Sequence, residues 1–148
     1  MLCLPYACQR MMLKSVEEAY PEEGCGILLG RRGQTADEVT HVLACANVDD
    51  EPRRRYAIAP EELVAAQRQA REQGLEILGF YHSHPDRPAK PSETDLRRAH
   101  WSGCVYLICE VRQGKLAGMS AVRLGTSQRW LEEQISLEPE DGAKAATI

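Results

Sequence analysis

No apolar run in this 148-residue chain approaches the ~20 residues that a membrane-spanning helix needs. The opening stretch MLCLPYACQR carries no basic leader and no small-residue cleavage site, so no signal peptide is expected and the cytoplasm is the expected compartment. An excess of positive charge is missing too. Eighteen Lys and Arg face 22 Asp and Glu for a net charge of −4, which is unpromising for binding nucleic-acid phosphates. No C-x-x-C occurs, which excludes the tight zinc-ribbon and thioredoxin patterns. Internal repeats and interior low-complexity segments are likewise absent.

What remains is the composition of one ordinary domain. Hydrophobic residues make up 43% and charged residues 27%, in a chain long enough to bury ~70% of its unfolded surface. Residues 1–136 are expected to form that domain. Residues 137–148 (LEPEDGAKAATI) lose periodicity and are expected to be a disordered tail. Cys25, Cys45, Cys104 and Cys109 sit in apolar stretches and read as small buried hydrophobes. Arg53, Arg54 and Arg55 form a short basic cluster, read first as a solvated loop and second as a meeting point for a carboxylate.

The predicted order is helix, strands, helix, strand, helix, strands. Pro5 to Tyr20 carries a helical stripe of Cys8, Met12, Val16 and Ala19, stopped by Pro21. Residues 24–30 and 38–46 read as strands, and 56–59 as a short further one. A second helix starts at Pro60, with Glu61 and Glu62 at its positive end, and closes at Gly74. Residues 75–84 form a strand rich in branched and aromatic residues, followed by a loop with three prolines. A third helix is expected over 92–101 and two strands over 105–112 and 116–124. The fold class is therefore α/β: a single domain with a mixed, mostly antiparallel sheet packed by about three helices.

The chemistry concentrates at residues 82–95. His82 and His84 lie two apart at the end of a predicted strand, where they project from one face ~7 Å apart and can converge on one ion. Asp95 follows eleven residues later, beyond the proline-stiffened loop, as a candidate third ligand. Taken alone, Ser92-x-x-Asp95 reads first as a helix capping box. Together, two imidazoles, a hydroxyl and a carboxylate within fourteen positions suit zinc better than calcium or magnesium, which prefer oxygen shells.

His82-Ser83-His84-Pro85 with Ser92 and Asp95 at this spacing resembles the motif of the JAMM (MPN+) metalloproteases. The similarity extends to Tyr20–Gly30 (YPEEGCGILLG), where a glutamate precedes x-Cys-Gly, and to residues 53–63, so most of 5–125 is covered. The resemblance implies the JAMM/MPN fold, related to that of cytidine deaminases. It implies one zinc ion per chain on His82, His84 and Asp95 with water as fourth ligand, Glu23 as general base and Ser92 as oxyanion donor. Glu22, the neighbour of Glu23, is expected at the surface.

Without the insertions of eukaryotic deubiquitinases, the chain is most similar to compact prokaryotic members. These hydrolyse the bond after the C-terminal Gly-Gly of a ubiquitin-like or sulfur-carrier protein, which is the partner the resemblance implies; no nucleic acid or membrane partner is expected. The alternatives are a non-catalytic MPN interaction scaffold and a RadC-like, DNA-associated protein. The intact ligand set weighs against the first and the acidic balance against the second.

Overall fold

A computed structural model describes residues 1–140 and 146–148. Among them a nine-stranded mixed sheet runs in the order β7-β6-β5-β4-β2-β3-β1-β8-β9, with three helices packed on it. The elements are β1 (Leu2–Leu4), α1 (Tyr6–Ala19), β2 (Cys25–Arg31), β3 (Asp37–Cys45), α2 (Pro60–Glu72) and β4 (Glu76–Pro85). They continue as α3 (Glu93–Arg98), β5 (Val105–Arg112), β6 (Lys115–Gly125), β7 (Arg129–Glu133), β8 (Ile135–Leu137) and β9 (Ala146–Thr147). Only β1–β3, β1–β8 and β4–β5 are parallel pairs; the other neighbours run antiparallel, as the sequence predicted for most of the sheet.

Each sheet face buries its own cluster. On one face, Cys8, Met12 and Val16 of α1 pack with Leu28, Leu78, Tyr81 and Leu107. On the other, Ala66 and Ala70 of α2 pack with Ile27, Leu29, Phe80 and Tyr106. The phase between the faces is set by an irregularity at Leu78, where the β2–β4 register shifts between Leu28 and Leu29. One extra residue restores the alternation, leaving Ile77 and Phe80 on the α2 face and Leu78 on the α1 face. His82 and His84 follow Phe80 at period two, and so share the α2 face at the carboxyl end of β4. Gly26, register partner of Tyr81, has no side chain for a reason. A Cβ there would collide with the Tyr81 ring, whose hydroxyl meets Ser15 Oγ of α1 at 2.9 Å.

Four findings differ from the sequence reading. Strands β1, β7 and β8 were not expected; β1 and β8 are short and pair with each other from opposite ends of the chain, and β7 folds back on β6 through residues 126–128. Residues 56–59 form no strand; the Tyr56 carbonyl accepts from Arg98, the Ala57 N–H donates to Asn47 Oδ1 and the Ala57 carbonyl accepts from Val48. Helix α3 ends at Arg98 rather than reaching 101, since Ala99 turns extended and Trp101 tucks against the α2-face cluster. Within the expected tail, Ala146–Thr147 pair with β8, while 141–145 lie outside the described residues. Among the described residues no helix is long and apolar enough to cross a membrane.

Candidate metal centre

His82 Nε2 and His84 Nε2 stand 3.2 Å apart, and Asp95 Oδ2 lies 3.3 Å from the first and 3.2 Å from the second. All three groups are buried or nearly so. The His84 tautomer is fixed by its other nitrogen: Nδ1 donates to the Pro88 carbonyl at 2.8 Å, leaving a lone pair on Nε2. Burial alone would push the His84 pKa down, but Asp95 and the Pro88 carbonyl outweigh it and raise it. Burial likewise opposes the charge on Asp95, yet the two imidazoles hold it well below the usual carboxylate range. Two imidazole nitrogens and a carboxylate oxygen aimed at one point are a donor set that a cation would hold together. A tetrahedral zinc, ~2.0–2.1 Å from each donor, sets its ligands about 3.3 Å apart, which is the spacing found here. The donor set thus fits zinc in both chemistry and geometry.

Neighbours lock this triangle in place. Tyr56 stacks on the His82 ring, centroids 4.4 Å apart and planes inclined by 20°. The loop after His84 is pinned from behind. Asp86 adopts φ 54° and accepts from Gln113 N–H at 2.8 Å and from Tyr20 O–H at 2.6 Å. Ala89 N–H donates to Glu110, and Ser120 donates to the Ala89 carbonyl. Asp95 is aligned by the capping box: its N–H donates to Ser92 Oγ at 3.0 Å, and Ser92 N–H donates to Asp95 Oδ2 at 2.8 Å. The capping and ligand readings of this motif therefore describe one arrangement. Helix α3 has no fully buried residue; it is tied down by Arg98, which meets Asp49 Oδ2 at 2.6 Å.

Glu23 arrives from the far side. Its N–H donates to the Pro52 carbonyl at 2.7 Å, and Asn47 Nδ2 donates to its carbonyl at 2.9 Å. The next residue is paired with Ser83, between the two histidines: Gly24 N–H donates to Ser83 Oγ at 2.8 Å and Ser83 N–H to the Gly24 carbonyl at 3.0 Å. These bonds carry Glu23 to the metal cluster, where one of its oxygens and a nitrogen from each of His82 and His84 lie within 4.8 Å of one another. Glu23 is 1% exposed; Oε2 accepts from Arg87 at 2.7 Å and Oε1 is buried with no partner. Burial raises its pKa, opposed by His82, Arg87 and His84. Asp95 sits closer to the imidazoles than Glu23 does and completes the triangle, while Glu23 lies beside it within reach of the same point.

Glu23, His82, His84 and Asp95 are thus brought together, with Ser92 at the helix start that aligns Asp95. Glu22 is exposed, as expected. His41 lies on β3 bonded to Thr40, and His100 is exposed. Of the basic cluster, Arg55 is taken up within its own loop by Asp49, Asp50 and Glu51. All six cysteines are free. Burial pushes the Cys25, Cys45 and Cys109 thiols up to about 12, which makes them poor nucleophiles. Sequence reasoning missed Asn47, Tyr56, Ser83 and Arg87, whose roles rest on contacts with residues remote in the chain. Beyond Tyr56 opens a cleft of about 370 Å³ lined by Ile58, Leu63, Phe80, Trp101 and Tyr106.

Residues 5–125 match the family described as prokaryotic homologs of the JAB domain. A desampylase of Haloferax volcanii is 45% identical over 89 residues, which is 60% of this chain and 63% of that protein. A probable TtuB-protein conjugate cleaving protease of Thermus thermophilus is 40% identical over 81 residues, 55% of this chain and 51% of that protein. The chain therefore spans less than two thirds of the length of these two relatives. A solution structure from Desulfitobacterium hafniense superposes with a TM-score of 0.83 at 32% identity, covering 95% of this chain and 94% of that one. With the motif, the sheet order and the match over 5–125 in agreement, the chain belongs to the prokaryotic JAB-domain homologues, the compact prokaryotic form of the JAMM/MPN family.

Proposed function

We propose that this chain is a zinc-dependent peptidase that hydrolyses the bond after the C-terminal Gly-Gly of a ubiquitin-like or sulfur-carrier protein. The observation that carries this reading is the triangle of His82, His84 and Asp95 at 3.2–3.3 Å, beside a buried Glu23 with one unpartnered oxygen. Zinc, when bound there, lowers the pKa of water to ~7 and polarises the scissile carbonyl. His82, His84 and Asp95 are its ligands. Glu23 accepts the proton of the attacking water at Oε1 and returns it to the leaving amine. The names of the two relatives support a protein conjugate as substrate. A diglycine tail has no side chains and suits a narrow approach to the site. The cleft beyond Tyr56, apolar at Ile58, Leu63 and Phe80 and polar at Asp49, Arg98 and His100, could take the residues preceding that tail.

The test is direct. The zinc-loaded chain is mixed with a small ubiquitin-like protein extended past Gly-Gly, and in parallel with ubiquitin dimers. Mass spectrometry should show cleavage after Gly-Gly of the first and much slower cleavage of the second. A chelator should stop the reaction without unfolding the domain, and added zinc should restore it. No cleavage by zinc-loaded protein, or faster cleavage of the dimers, would reject the reading.

Ser92 has two roles to separate. Its oxygen caps α3, and its hydroxyl hydrogen is free to donate to the developing oxyanion. Asp95 Oδ2 is held by the backbone N–H of Ser92, which Ser92→Ala leaves in place. The variant should therefore keep its zinc, lose ~1 kcal/mol of stability as a lost cap, and lose about 10²–10³-fold in turnover. An unchanged rate with lowered melting would leave Ser92 as a cap alone.

A further inference from the structure

Among the described residues, Arg87 alone forms an ion pair with Glu23, Nη2 to Oε2 at 2.7 Å. It comes from the loop between β4 and α3, three residues beyond His84. Its placement is built rather than incidental. The preceding Asp86 is held in the left-handed region by Gln113 and Tyr20, and the Asp86 carbonyl accepts from Arg112 at 3.0 Å. A second guanidinium nitrogen, Nη1, reaches the Arg53 carbonyl at 3.4 Å. Glu23 is 1% exposed whereas the Arg87 side chain is 40% exposed, so the guanidinium covers the solvent side of a carboxylate whose other oxygen is buried and free.

We propose that Arg87 is a positioning residue for Glu23: it binds Oε2 and thereby turns Oε1 toward the His82–His84–Asp95 triangle. This rests on the reading of Glu23 as the base. A glutamate has three side-chain torsions, and burial alone does not choose among them. One charge-assisted bond to a guanidinium fixed at both its loop and its second contact does. A carboxylate displaced by ~1 Å from a reacting proton costs on the order of 10²-fold in rate. Loss of an outer partner of a metal-site group costs about 10–100-fold.

The experiment uses the zinc-loaded full chain and the Gly-Gly-extended ubiquitin-like substrate. Arg87→Ala should lower kcat about 10–100-fold. KM should stay within about twofold, and the zinc Kd, measured by competition with a chelating dye, within about threefold, because Arg87 touches neither substrate nor ligand atoms. Millimolar guanidinium ion should restore part of the lost kcat, since the vacated position is open to solvent, and Arg87→Lys should fall between the two. Combining Arg87→Ala with Glu23→Gln should be no slower than Glu23→Gln alone, as expected of a residue that acts through Glu23.

A kcat for Arg87→Ala within about twofold of wild type overturns the assignment, as does a zinc Kd that weakens in step with kcat, or losses that multiply in the double variant. If Glu23→Gln itself changes nothing, the base reading fails and this inference with it. A full loss in Glu23→Gln beside an unimpaired Arg87→Ala removes Arg87 only.

Discussion

Glu23→Gln should bind one zinc per chain, keep its fold, and turn over about 10²–10⁴-fold more slowly than wild type. The substitution preserves shape and leaves one acceptor oxygen, which can still meet Arg87, but the amide cannot take a proton. The local backbone gives no reason for the fold to fail. Glu23 is placed by main-chain bonds to Pro52, Asn47 and, through Gly24, Ser83, and none uses its carboxylate. The variant even removes a charge that burial disfavours. Zinc analysis, thermal melting and cleavage rates on one preparation decide it. Near wild-type turnover would take Glu23 out of the mechanism.

His84→Ala should fail at an earlier step by losing the metal. His84 Nε2 forms one corner of the triangle, and its orientation is fixed from behind by the Pro88 carbonyl. Two remaining ligands bind zinc far more weakly, by more than the ~10–100-fold that loss of an outer partner costs. Metal content after dialysis should fall from near one per chain to near zero, with activity. His41→Ala, on β3 and with its ring bonded only to Thr40 among the described residues, should keep both. The domain should remain folded, because the α1-face and α2-face clusters are built without the metal. Full zinc content in His84→Ala would reject the ligand assignment.

The sequence made some of this legible and hid the rest for physical reasons. His82 and His84 were readable because alternation on a strand is local: LEILGFY identified the strand, and period two put both imidazoles on one face. Pro60, Glu61 and Glu62 marked the start of α2 equally well, since helix signals are local. Asp95 was ambiguous between cap and ligand, and the structure shows why. The same oxygen accepts from Ser92 N–H and faces both imidazoles. Glu23 was reached only through resemblance; nothing within ten residues of it indicates a neighbour on another strand. Residues 56–59 read from sequence as a short strand, whereas the Tyr56 ring stacks on His82. Asn47 carries no local signal of its role. It bonds to Glu23, Pro52, Arg55, Asp49 and Ala57, an arrangement that exists only once the chain has closed on itself.

The bonds between Gly24 and Ser83 also bear on the order of events as the chain folds. They join residues 59 apart in sequence, across a stretch that contains β3, the 47–57 loop and the whole of α2. Closing so long a segment has an entropic cost that precedes any reward from the contacts it allows. The acidic side chain and the imidazoles therefore meet only after the central strands have paired, and the nascent polypeptide offers an ion no preformed cage. Loading follows folding. Ion binding then adds to the stability of a domain that already stands, by an amount set by free zinc concentration relative to its dissociation constant. On the proposed zinc reading, a shortage of the ion would leave folded, unloaded molecules rather than unfolded ones.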